Sequence, residues 1–184
     1  VWKYFPKVRL FKRSPPSMRH RAGSFLYKIL IDDYPLRRKP ELLEQLREKY
    51  NIDKKYRYKN YDEILNCNEI DAIYISTLNN THPEIVIKAA EAKKNILCEK
   101  PIATNYDDAI TIFETLDKSD VFFLEAIAYR SHEQTKFVIN KIIEGEIGEL
   151  KSIESTFGFT SKKIDPKSRL YNPNLGGGAI LDIG

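Results

Sequence analysis

Apolar positions recur along this chain with two alternating periods from residue 40 onward. Leu42, Leu43, Leu46 and Tyr50 fall on one helical face behind Pro40, a residue suited to a first helical turn. "DAIYIST" (71–77) is a short β-branched run and predicts a strand. In "THPE" (81–84), Thr81 and Glu84 have capping-box spacing and Pro83 is tolerated in the first turn, so a helix is expected to about Lys94. "NILC" then reads as a second strand. Thr104 is expected to cap a helix in which Ala109, Ile112, Phe113 and Leu116 recur at i, i+3, i+4 and i+7. "VFFLEA" (121–126) predicts a third strand, and Ser131 with Gln134 suggests another capping box, opening a helix that ends near Gly145. A long strand is expected over residues 150–159. Strands alternating with helices of about a dozen residues indicate right-handed βαβ units, a parallel sheet and an α/β fold.

In open α/β sheets, ligands bind beyond the carboxyl ends of the strands. Here those ends are "TLNNTH" (77–82), "EKP" (99–101) and "EAIAYR" (125–130). Asn79, His82, Glu99, Lys100, Tyr129 and Arg130 are therefore expected around one crevice. "EKP" is unusual in itself, because Pro101 stops a paired central strand just where an acid and an amine emerge from it. Glu99 and Lys100 alone would fit a rim ion pair worth about 0–1 kcal/mol, or a site of chemistry.

Composition narrows the classes. The chain is 42% hydrophobic and 30% charged, as expected of a soluble globular protein, and has no apolar run near the roughly 18 residues of a membrane helix. Its basic opening lacks the apolar core and cleavage site of a secretory signal. Cys67 and Cys98 have no metal-like spacing and suggest reduced thiols in a cytoplasmic protein, with no metal site. The net charge of +4 hides an asymmetry. Residues 1–40 hold eleven Lys and Arg against Asp32 and Asp33, and the remainder holds 19 bases and 24 acids. Tyr56, Tyr58 and Tyr61 among Lys54, Lys55, Arg57 and Lys59 mimic a nucleic-acid patch but read as a solvated loop. Pro15 and Pro16 with scattered aromatics point to disorder in the basic opening, so neither a nucleic acid nor a membrane is the expected partner.

"STLNNTHPEIVIKAAEAKKNILCEKPIATN", followed in order by "FLEAIAYRSHEQ", "EGEIGEL" and "GGGAILDIG", resembles the Gfo/Idh/MocA family over about residues 37 to 184. That family includes glucose–fructose oxidoreductase, inositol dehydrogenase and dihydrodiol dehydrogenase. The resemblance implies a partial Rossmann-type, doubly wound parallel sheet over residues 37–125. The start of an α+β substrate and dimerisation domain would follow over 126–184. It implies hydride transfer between NAD or NADP and a sugar, polyol or dihydrodiol, in an enzyme that forms homo-oligomers. Lys100 would take the hydroxyl proton, an amine suiting that role once desolvated beside a cation, and Asp182 would meet the substrate beside it. Ser76, Thr77, Asn79 and His82 would line the nicotinamide half of the cofactor. Glu99 would orient the site or contact the cofactor, as would Lys100, and Arg130 carries over with Tyr129. His82 has an equal alternative as a helix-start residue. Gly176, Gly177 and Gly178 would permit close backbone approach near Asp182.

One family feature is missing from the sequence. A glycine-rich turn normally lets backbone amides reach the pyrophosphate, but Gly23 is the only glycine before Gly145. Residues 1–36 are thus an unmatched basic segment, expected to be out of frame or disordered. The expectation is a fragment of a longer enzyme. The chain as given is therefore expected not to bind NAD or NADP at micromolar concentration, and three readings stand: an oxidoreductase by descent, an inactive fragment that cannot hold a dinucleotide, and a basic-tailed nucleic-acid-binding module. The order of the motifs favours the first for function, and the missing glycine turn favours the second for activity.

Overall fold

The computed structural model describes residues 44–45, 48–49, 58, 60–158, 160 and 164–182. The basic segment 1–36 and the apolar face of Leu42, Leu43, Leu46 and Tyr50 lie outside the described residues. Glu44, Gln45, Glu48 and Lys49 are helical and exposed, as the polar face of that expected helix would be.

Beyond residue 60 the order of elements is α1 (Tyr61–Leu65), β1 (Ala72–Ile75), α2 (His82–Glu91), β2 (Asn95–Glu99), α3 (Tyr106–Ser119), β3 (Phe123–Ala126), α4 (Glu133–Ile143) and α5 (Ala179–Asp182). Short 3₁₀ turns occupy Asn79–Thr81, Ala128–Ser131 and Pro173–Leu175. The three strands are parallel and lie in the order β1-β2-β3, with Ile73 opposite Ile96 and Ile96 opposite Phe123. This is the α/β, Rossmann-type arrangement expected from the alternation.

One face of the sheet is covered by helices. Ile73 and Ile75 of β1 and Ile96 and Cys98 of β2 point into it, all at most 5% exposed. Against them α2 sets Val86, Ala89 and Ala90, each wholly buried, and α3 sets Ile112, also wholly buried. Two adjacent alanines put only methyl groups between α2 and the strands, so helix and sheet can approach closely. The opposite face carries Tyr74, Leu97 and Leu124, in register across the three strands, and Leu124 is exposed. Tyr58 and Tyr61 also pack on the core. Two of the three tyrosines expected in a solvated loop are therefore partly buried.

Polar side chains fix the amino ends of the strands. The Asn95 amide donates to Asp71 O at 3.0 Å and its oxygen accepts from Phe122 N at 2.9 Å, so one residue of β2 ties down the approaches to both neighbouring strands. Lys94 is buried, and its ammonium donates to Cys67 O and Ile70 O, both at 2.9 Å. That is why α2 stops at Glu91 rather than near Lys94. Lys93 takes a left-handed φ of 58°, which turns the chain so that Lys94 folds back under α1.

The expected caps are corrected in three places. Thr81 makes no side-chain cap bond; its hydroxyl donates to Leu78 O at 2.8 Å instead, because the 3₁₀ turn before α2 keeps its backbone helical. Asn105, not Thr104, caps α3: its extended backbone lets Oδ1 accept from Asp108 N at 2.9 Å. His132, not Ser131, caps α4, with Nδ1 accepting from Gln134 N at 3.2 Å, since Ser131 is taken up by the preceding turn. The strand expected over residues 150–159 is also absent from the described part. Residues 150–158 form no ladder and are exposed. Alternating apolar residues make a strand only when a neighbouring strand accepts their backbone hydrogen bonds, and no described segment does so.

Candidate active site

The carboxyl ends of β1 and β2 bring the expected residues to one edge of the sheet. Ser76 and Thr77 follow β1 directly and are half-buried. Thr81 Oγ1 already donates to Leu78 O, so the 2.7 Å contact between the two threonine hydroxyls is donated by Thr77. Glu99 is the last residue of β2, and the Tyr74 hydroxyl of β1 donates to its Oε1. Among the described residues the second carboxylate oxygen of Glu99 is uncommitted.

Lys100 leaves β2 at the cis Lys100–Pro101 peptide. Its ammonium lies 3.1 Å from Asp182 Oδ1 and also donates to Asp182 O, 82 residues along the chain. Arg169 Nη1 lies 3.6 Å from the same Asp182 oxygen. The two side chains of the Lys100–Asp182 pair are 37% and 21% exposed, so the pair is part-buried at the surface, not in the core. The motif "GGGAILDIG" makes this meeting possible. Gly176 adopts φ +73°, and a Cβ there would come within 2.6 Å of Thr104 Cγ2 and 2.8 Å of Asn79 Cβ. Only glycine fits that position. α5 then starts beyond Gly178 and carries Asp182 to Lys100.

Asn79 and His82 are placed deeper. Asn79 Nδ2 donates to Gly176 O at 3.0 Å. His82 is wholly buried, with Nδ1 2.7 Å from Pro101 O and Nε2 3.2 Å from Thr77 O. Tyr129 and Arg130 are exposed in the 3₁₀ turn just after β3. The edge is therefore shared, while only Lys100 and Asp182 form a direct pair among the expected residues of the chemistry.

Three contributors escaped the sequence reading. Glu125 of β3 accepts from Ile102 N at 3.0 Å and so supports the turn after Lys100. An acid inside the apolar run "VFFLEA" was its signal. Tyr74 bonds Glu99 across neighbouring strands, and Arg169 approaches Asp182, but no local pattern marks either. Burial, with the neighbouring Glu125 and Glu99 charges, pushes the Cys98 thiol well up, so it is a core residue without nucleophilic character. No group of three metal-ligating side chains occurs among the described residues.

The donor set suits the nicotinamide side of a dinucleotide. Two hydroxyls and a carboxylate with an open oxygen stand at the ends of adjacent parallel strands, next to an ammonium. A parallel sheet with polar side chains gathered at its carboxyl edge is the arrangement of a nucleotide-binding α/β fold. Residues 36–126 match the family described as "Oxidoreductase family, NAD-binding Rossmann fold". Through that stretch the chain belongs to the Gfo/Idh/MocA oxidoreductase family.

Individual relatives agree with the assignment. The chain is 39% identical over 127 residues to an uncharacterized oxidoreductase of Rhizobium meliloti, covering 69% of this chain and 37% of that one. It is 33% identical over 144 residues to trans-1,2-dihydrobenzene-1,2-diol dehydrogenase of Xenopus tropicalis, covering 78% and 42%. Among solved structures, aldose-aldose oxidoreductase from Caulobacter crescentus, complexed with glycerol, superposes with a TM-score of 0.65 at 26% identity, covering 78% and 43%. The chain thus spans about two fifths of the length of the curated relatives it matches.

Proposed function

We propose that this chain carries the proton-transfer side of an NAD(P)-dependent oxidoreductase acting on a carbon of a sugar, polyol or dihydrodiol. The observation that carries the reading is the Lys100–Asp182 pair, 3.1 Å apart at the carboxyl edge of a parallel sheet. The substrate class is supported by the diol dehydrogenase and aldose oxidoreductase among the relatives. The nicotinamide, when bound, supplies the hydride acceptor or donor. Ser76, Thr77 and Glu99 would hold its ribose side, with Arg130 at the rim. Lys100 Nζ holds the proton that a carbonyl oxygen takes up on reduction, and receives it from the hydroxyl in the reverse direction. Asp182 keeps the ammonium aimed into the crevice through its carboxylate and its main-chain carbonyl.

The test is reduction of NAD and NADP by the 184-residue chain with aldoses, polyols and a trans-dihydrodiol. Cofactor is supplied at millimolar concentration because no glycine turn precedes Gly145 in the sequence. Turnover with one pairing is expected, and Lys100→Met should lower kcat by roughly 10²–10⁴-fold. Absence of turnover with every pairing, or a Lys100→Met chain as active as the parent, would overturn the proposal.

A further inference from the structure

Asn79 and His82 are the most deeply buried polar side chains near the site, 7% and 0% exposed. They stand three positions apart on the turn after β1, yet each reaches a different segment. His82 Nδ1 meets the carbonyl of Pro101, the residue after Lys100, at 2.7 Å. Asn79 Nδ2 donates to the carbonyl of Gly176, six residues before Asp182, at 3.0 Å. From Gly176 the connection is short and rigid, since Asp182 N donates back to Gly178 O at 3.0 Å. Lys100 and Asp182 share no secondary-structure element, so their approach depends on how these two segments are held.

We propose that Asn79 and His82 are positioning residues, a two-pronged clamp by which one turn holds both the Lys100 turn and the Gly176 loop and so sets the Lys100–Asp182 pair. Both carbonyls are acceptors, so each prong must donate. Asn79 does so through its amide, and His82 through a hydrogen on Nδ1, the nitrogen with the shorter contact. His82 Nε2 lies 3.2 Å from Thr77 O, also an acceptor, so with the ring hydrogen on Nδ1 this second approach is a contact and not a tie. With these atoms engaged by protein, the two side chains act on catalysis through Lys100 and Asp182, not through the cofactor. The kinetic consequence rests on the proposed function; the clamp itself does not.

Asn79→Leu and His82→Phe in the full chain remove one prong each, and His82→Asn restores a donor close to the Nδ1 position. The first two are expected to lower kcat by roughly 10–100-fold through misplacement of the pair, with the cofactor KM nearly unchanged. His82→Asn should recover most of the loss. A cofactor KM that rises at least as much as kcat falls would overturn the proposal in favour of direct cofactor contact. A ring measurement on the unsubstituted chain decides the matter if the variants do not fold or the chain proves inactive. Imidazole ¹⁵N NMR, assigned with His20→Gln and His132→Gln, should show His82 carrying a slowly exchanging hydrogen on Nδ1. Hydrogen on Nε2 alone, or rapid exchange, overturns the clamp. An inactive chain with a protected Nδ1–H refutes the proposed function and leaves the clamp standing.

Discussion

Lys100 and Cys98 lie two residues apart on β2 and its exit, and face opposite demands. In the proposed reaction Lys100 both holds and releases a proton. A guanidinium keeps its proton under all working conditions, so Lys100→Arg should be as inactive as Lys100→Met although it preserves charge beside Asp182; steady-state kcat in both directions checks this. Cys98 is wholly buried, and its thiol is pushed up from the ordinary value of 9.0. The unfolded chain therefore loses this proton first as pH rises. The stability that the buried thiol contributes is fully present below pH 9.0 and is lost above it, at about 1.4 kcal/mol per pH unit. Urea titrations across that range should show the slope, and Cys98→Val should lack it. Thiol labelling of the native chain should reach half-buried Cys67 and spare Cys98.

At the scale of the element, helix faces and the start of α2 were legible, while α3 and α4 each start one residue later than expected. Ile112 and Leu116 of α3 turn toward the core as their spacing requires, although Phe113, counted on the same face, is 40% exposed. Spacing defines a stripe on a helix but does not say where its edge meets solvent. The first residue of α3 was misplaced by one because Thr104 and Asn105 are both good capping residues. Only the backbone decides between them, and it gives Asn105 the extended conformation. Asn105→Ala should therefore cost about 0.5–2 kcal/mol. Thr104→Val, which keeps the Cγ2 methyl packed on the Gly176 loop, should cost less than Asn105→Ala. Chemical denaturation of the two variants separates the expected cap from the observed one.

For the whole molecule, the covered side of the sheet contrasts with the chain beyond residue 132. Phe137, Ile143, Ile147 and Ile153 are 61–77% exposed along α4 and the segment after it. Large exposed apolar side chains favour association. The chain is expected to self-associate in sedimentation experiments as concentration rises. Ile143→Glu combined with Ile153→Lys should shift it toward the monomer and reduce binding of a hydrophobic dye. A monomer at every concentration would count against this surface as the site of association. Among the described residues no helix is long and apolar enough to cross a membrane.

Sequence alone determined the alternation of strands and helices, the parallel sheet, and the edge on which Lys100 would stand. These follow from local periodicity and from the rule that crossover connections bring strand ends to the same side. The pairing of Lys100 with Asp182 was expected from family resemblance, since no local period links residues 82 positions apart. Tertiary structure alone decided how that pair is held. Asn79 looks in sequence like a residue free to meet a ligand, and His82 equally like a ligand contact or a helix-start residue; in the fold both are buried against main-chain carbonyls, His82 as the first residue of α2. The same holds for residues 150–158, whose alternating pattern has no partner strand among the described residues to make it one. A hydrogen bond needs both groups in place, and the sequence names only one of them at a time.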